Sequence, residues 1–166
     1  MSCNRALVIF AISVALVISL AGCSNATSAT PASAVVPSDD PALTLVQRFN
    51  MGAGLESLAN QVAHTTTTFG VIAQKHGPSG ADQLIKAEIS KALPTYQSRW
   101  NQNLALIYSK HFSAEELRSL AMLGTSSPYA DKFKSTHATA GAEMRGSSSQ
   151  LLQQLVTEAL TSALKQ

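Results

Sequence analysis

The sequence predicts an all-α protein, with a single domain of about six or seven amphipathic helices. A removable signal peptide and a flexible tether precede this domain. From Pro41 onward, apolar residues recur every three or four positions, a spacing that places them on one face of a helix. Capping and turn signals separate the periodic stretches, and no alternating run is long enough for a β-strand.

The first two predicted helices follow the tether. Ser38–Pro41 is a helix start signal, because acidic residues and proline suit the first turn. This helix is expected to end before Gly52. The second runs from Leu55 to Ala73, with a bend or break expected at residues 65–68, where four threonines in a row favour helix poorly.

Turn sequence at residues 76–80 separates these helices from a third, which is expected to stop at Pro94. The fourth helix carries the longest apolar stripe in the chain. Its members are Tyr96, Trp100, Leu104, Ile107, Tyr108, His111 and Phe112. Ser113 and Glu116 then form a capping box that opens the fifth helix, which is expected to end near Gly124.

The last two predicted helices follow Ser127-Pro128, a cap and a first-turn proline. Gly146 is expected to end the sixth helix, and Ser147 with Gln150 to cap the seventh.

The N-terminus has the pattern of a bacterial export signal. Arg5 precedes an apolar stretch, and the run Leu20–Cys23 looks like the lipobox of a lipoprotein. We therefore expect residues 1–22 to be removed and the Cys23 thiol to carry palmitate-type acyl chains. These chains would insert into a membrane and anchor the protein there. The alternatives are a plain secretory signal and a retained transmembrane anchor, although no positively charged flank follows before Arg48.

The remaining chain divides into a tether and a domain. Residues 23–40 are rich in Ser, Thr, Ala and Pro and hold too little apolar surface to order themselves, and residues 41–166 form the helical domain. Ser24 after the lipidated cysteine is typical of sorting to the outer membrane, with the domain facing the periplasm. Cys3 is discarded with the signal, so no disulfide partner remains.

The charge balance excludes some classes of partner. The chain has 12 Lys/Arg, one fewer once Arg5 is removed, against 10 Asp/Glu. Such a balance supplies neither the basic surface that nucleic acid requires nor a polybasic patch for anionic lipid.

One stretch resembles a known family. The run Ile107–Leu117 reads IYSKHFSAEEL and is followed by Ser127, Pro128 and Lys132. It is similar to the bacterial envelope family called domain of unknown function 2059. The chain departs from that pattern in lacking an aromatic pair before the Ser-Pro and in having Ala130 where Gly is usual. The resemblance implies an exported helical domain, and it offers no catalytic residues that could be assigned to positions of this sequence.

No catalytic or metal-binding constellation is visible. The histidines are His64, His76, His111 and His137, and no two have the three- or four-residue spacing of a metal pair on one helix. Glu115 and Glu116 are adjacent and suit helix capping better than a shared proton. We expect no catalytic residue, no metal and no cofactor beyond the lipid on Cys23.

Two further residue sets have alternative interpretations. Trp100, Tyr108 and Phe112 could line a hydrophobic ligand groove, although their spacing is equally that of a bundle core. Lys132, Lys134 and Arg145 could form a basic spot for phosphates, or simply a solvated helix face.

The sequence therefore predicts a lipid-anchored envelope protein of uncharacterised role. The favoured hypothesis is a non-enzymatic scaffold or interaction module with an envelope protein partner, and the alternative is a carrier or sensor of a hydrophobic ligand held between helices. An envelope hydrolase is the third hypothesis.

Overall fold

The computed structural model describes residues 40–166, so the predicted signal peptide, Cys23 and nearly all of the tether lie outside the described residues. This part of the chain is helical and contains no β-strand, which confirms the all-α prediction. The helices are α1 (Pro41–Arg48), α2 (Gly54–His64), α3 (Thr67–His111), α4 (Ala114–Leu123) and α5 (Ala130–Leu164), with a 3-10 turn at Gly124–Ser126. Among the residues described, no helix is long and apolar enough to cross a membrane.

The number of helices differs from the prediction, because α3 and α5 pass through two residues that were expected to end helices. Pro94 lies inside α3, between the buried residues Ala92 and Trp100. Gly146 lies inside α5, between the buried residues Met144 and Ser148. A helical glycine costs only about 1 kcal/mol and proline about 3 kcal/mol. Burial of the large side chains on both sides outweighs these costs, and these are Ile89 and Trp100 in α3 and Met144 and Leu151 in α5.

Two other predicted interruptions are present. The break expected within residues 65–68 falls between α2 and α3, where the Thr65 and Thr66 hydroxyls donate to the carbonyls of Val62 and Ala63, both at 2.7 Å. The turn expected at residues 76–80 is a bend inside α3, because Gly77 has a φ of 74° and interrupts the regular helix. Glycine is suited to this conformation, since it has no Cβ.

Side-chain caps explain where α1 and α4 begin. Asp40 caps α1 by accepting a hydrogen bond of 2.9 Å from the Ala42 amide, as its start signal predicts. Ser113 and Glu116 form the predicted capping box of α4, in which the Ser113 amide donates to Glu116 Oε2 at 2.8 Å. The start of α5 differs from the prediction, because Tyr129 rather than Ser127 is its N-cap and Pro128 precedes the helix.

The longest helix, α3, lies at the centre of the packing. α1, α2 and α5 pack against it, and α4 packs against α1. Three hydrogen bonds show that α5 runs antiparallel to α3, because the α5 numbers fall as the α3 numbers rise. They join Tyr96 to Glu158 (2.7 Å), Asn103 to Ser148 (2.9 Å) and His111 to Glu143 (2.6 Å).

Replacement of Ser113 by alanine removes the side chain that caps α4. We expect Ser113→Ala to lower the free energy of unfolding by about 1 kcal/mol, because the Glu116 amide loses its acceptor. Chemical denaturation measures this change. Ser98→Ala, at an exposed position in α3, is the control and should leave stability unchanged or slightly raised, since alanine favours helix. Equal stabilities for the two variants would contradict the capping role.

Candidate ligand groove

A large open groove lies over the C-terminal part of α3. Its volume is about 1260 Å³, larger than the ~300–1,000 Å³ of most small-molecule sites. Trp100, Leu104 and Tyr108 of α3 form its floor. α1, α2 and α5 contribute lining residues around it, as do α4 and the 3-10 turn, and α2 also packs directly against α5. We refer to this feature as the central groove.

The floor contains two of the three aromatic residues that the sequence predicts for a ligand groove. Trp100 is 8% exposed and Tyr108 only 1%, and both border the central groove. Tyr108 stacks on Phe133 of α5, with ring centroids 5.1 Å apart. Phe112 is buried against Phe133, with centroids 6.1 Å apart, and lies outside the residues that line the groove. The same aromatic side chains therefore serve the core and the floor.

The wall formed by α5 contains a gap. Phe133, His137, Gly141, Arg145, Ser149 and Gln153 recur every four residues and all line the groove. This spacing places them along one ridge of the helix. A Cβ added at Gly141 would meet no atom within 4 Å, so the absence of a side chain here leaves the groove open. Gly141 was not predicted as a site residue, because its only signal in the sequence is a glycine in an otherwise helical pattern.

The side of the groove formed by α1 and α2 combines apolar side chains with the polar Ser57 and Gln61, and its connecting segment contacts α3. Leu45 of α1 and Leu58 and Val62 of α2 face the groove. Between the two helices, the Gly52 carbonyl accepts a hydrogen bond of 3.0 Å from Gln97 of α3.

Gly52 is closely packed at this connection. A Cβ on Gly52 would lie 1.9 Å from Asn101 Oδ1, so the Asn101 side chain would have to move to accommodate a larger residue.

Polar groups are distributed unevenly along α5. Lys134 lines the groove together with Asp131, a carboxylate one helical turn away. Arg145 lies further along, with Gly141 and Ser149 one turn to either side. On the floor, the Tyr108 hydroxyl and His137 Nδ1 are 3.4 Å apart, and burial raises the pKa of the tyrosine.

The other histidines make separate pair contacts. His64 contacts Asp82 at 2.9 Å, and His111 contacts Glu143 at 2.6 Å. His76 is half-buried at the bend of α3. Within residues 40–166, no three His, Cys, Asp or Glu side chains gather in a way that could hold a metal ion.

Lys132, Lys134 and Arg145, the basic residues that the sequence suggests as a phosphate-binding spot, do not lie together as one group. Lys132 donates to Glu116 Oε1 at 2.7 Å and lies over the ring of Phe112, 4.6 Å from its centroid. Lys134 and Arg145 instead border the central groove.

Comparison with known proteins identifies no relative: no family model, no curated protein and no solved structure matches the chain. The resemblance of residues 107–117 to domain of unknown function 2059 thus stays a prediction.

The junction between the end of α3 and α5 should depend on pH. The hydrogen bond from His111, helped by Lys110, holds the pKa of Glu143 below its ordinary value of 4.5. A lowered folded-state pKa stabilises the fold above the unfolded-state pKa, and that stabilisation is lost as pH falls through the folded-state value. We therefore expect the free energy of unfolding of Glu143→Gln to fall less than that of wild type as the pH drops below about 4.5.

Denaturation midpoints between pH 3 and pH 7 measure this effect. Glu115→Gln is the matched control, because this exposed carboxylate on α4 makes no ion pair with another described residue. Parallel pH profiles for wild type and Glu143→Gln would contradict the prediction.

Proposed function

We propose that this protein binds a hydrophobic ligand, a single long acyl chain, in the central groove. The observation that carries the proposal is an open, mostly apolar groove floored by Trp100, Leu104 and Tyr108. The floor itself is nearly buried, and the accessible apolar surface of the groove comes from half-buried side chains around it, which are Leu58, Val62, Phe133 and Leu152. A mostly apolar concave site is the usual form of a ligand pocket.

The dimensions of the groove suit an acyl chain. α5 lines it from Ala130 to Gln153, which the helical rise converts to a length of about 35 Å. A lipid tail in a bilayer spans about 15 Å, half of the hydrocarbon core. The groove can therefore hold one chain end to end and leave space for a head group. Each methylene removed from water contributes about 0.8 kcal/mol, so partial coverage of a long chain is enough for binding.

The proposed location agrees with this ligand. A lipobox ending at Cys23 would attach the domain to the bacterial outer membrane, where acyl chains are abundant. A tether of residues 23–40 would let the domain move above the membrane surface without leaving it. We propose a lipid-anchored carrier or sensor, which needs binding and release but no chemical step.

The second candidate function is a scaffold for an envelope protein. It is favoured by apolar side chains exposed near the end of α4, where Met122 is 72% exposed and Leu123 is 53% exposed. Phe49, 48% exposed, lies close to Gly124 and extends this surface to the rim of the groove. A patch of this kind is typical of a protein contact, although Phe49 also lines the groove.

Filling the gap at Gly141 tests the binding proposal. Trp100 is the only tryptophan of the chain, so quenching of its fluorescence by a brominated fatty acyl probe reports a chain in the groove. We expect the full-length wild-type chain to be quenched. In Gly141→Leu, quenching should be lost, because the new side chain occupies the open space. Its stability should be equal or higher, since leucine favours helix over glycine by about 0.8 kcal/mol.

Gly146→Leu is the matched control. Gly146 lies in the same helix, its added Cβ would also meet no atom within 4 Å, and it does not line the groove. This variant should be quenched like wild type. A folded Gly141→Leu variant that is quenched as strongly as Gly146→Leu would refute acyl binding in the groove and leave the scaffold as the better candidate.

Lipid attachment is tested separately. Cys23→Ala removes the only thiol that the proposal assigns to lipid, so we expect loss of alkyne-palmitate incorporation in growing bacterial cells. Cys3→Ala is the matched control and should keep the label, because Cys3 lies in the segment expected to be removed. Label retained in Cys23→Ala would rule out this attachment site.

A further inference from the structure

The cations that line the central groove have different surroundings. Lys134 has the carboxylate of Asp131 one turn away, and both side chains line the groove. Arg145 has Gly141 on the preceding turn and Ser149 on the following turn, so no acid stands beside it on this ridge. An anion that enters the groove would therefore be attracted to Arg145 without competition from a neighbouring carboxylate.

Arg145 is also uncommitted in the described structure. Among residues 40–166 it makes no ion pair and no side-chain hydrogen bond. The nearest acid in sequence, Glu143, is engaged with His111 at 2.6 Å and Lys110 at 3.3 Å. Side chains of a helix lean toward its N-terminus, which directs Arg145 over the turn that contains Gly141.

Arg145 thus lies one helical turn from Gly141, the only glycine on this ridge. We infer that the ligand is a long-chain fatty acid whose carboxylate binds Arg145 at the Gly141 gap, while its chain lies over Trp100. This inference rests on the proposed acyl-binding function and adds the chemical class of the head group.

The chemistry of the site favours a carboxylate. A guanidinium presents a planar pair of N–H donors that matches the two oxygens of a carboxylate. The Ser149 hydroxyl, on the same ridge and one turn away, can supply a further donor. One cation with neutral neighbours balances one negative charge, which is the charge of a fatty acid at neutral pH.

The experiment compares an acid with its neutral analogue. The full-length chain is titrated with brominated stearate and with brominated stearyl alcohol, and quenching of Trp100 gives both dissociation constants. We expect Arg145→Gln to weaken stearate binding by about tenfold or more, because a charged hydrogen bond is lost. Binding of the alcohol should change less than about twofold, because the apolar contacts are retained.

Arg118→Gln is the matched control, since Arg118 is an exposed arginine on α4 that does not line the groove. It should bind both probes like wild type. Equal stearate affinities for Arg145→Gln and Arg118→Gln would overturn the assignment of the carboxylate while leaving acyl binding intact. Equal weakening of acid and alcohol would also overturn it, because that result indicates a damaged groove rather than a lost ion pair.

Two further results would show that the groove does not bind a fatty acid. If lysophospholipid displaces stearate with a lower dissociation constant and the same dependence on Arg145, the head group is a phosphodiester and the fatty acid is refuted. If neither brominated probe quenches wild-type Trp100, the acyl-binding function itself fails. Absence of quenching is the result expected if the groove is occupied by a second copy of the chain or by the chain's own apolar N-terminal segment.

Discussion

The packing of α1, α2 and α5 on the single long helix α3 is the interaction on which the rest of the structure depends. Ile85, Ile89, Ile107 and Tyr108 of α3 are almost completely buried by these neighbours. Because burial of each large apolar side chain contributes about 1.5–3 kcal/mol, this face outweighs the local cost of Pro94. The same helix supplies the floor of the central groove, so the scaffold and the candidate site cannot be separated.

The antiparallel register of α3 and α5 decides what the groove contains. Asn103 donates to Ser148, which is buried and also lies 3.3 Å from Met144 Sδ. A buried hydroxyl without partners would be costly, so this contact resists sliding of α5 along α3. With this register, one ridge of α5 presents Gly141 and Arg145 to the groove. A shift of one residue would rotate both away from it.

Much of the fold was predictable because its signals are local. Asp40 and the Ser113–Glu116 pair cap helices through atoms only a few residues apart, and the threonine hydroxyls near residue 65 bond to carbonyls of the preceding turn. The predicted helix ends at Pro94 and Gly146 were wrong. The helix continues through each of these residues because side chains on both sides of it are buried against parts of the chain that are distant in sequence. Of the candidate site, Trp100 and Tyr108 could be found from helical spacing, whereas Phe112 shares that spacing but lies outside the groove.

The sequence by itself determined the helical class, the caps at Asp40 and Ser113 and the stripe of α3 that faces the interior, since period and capping depend on near neighbours. It also carries the pattern from which lipid attachment at Cys23 is predicted. Only the tertiary structure decided that part of this stripe borders a groove as well as the core. The reason is that a groove depends on how α1, α2 and α5 pack over α3, and that packing involves residues far apart in sequence, such as Gln97 with Gly52 and Asn103 with Ser148.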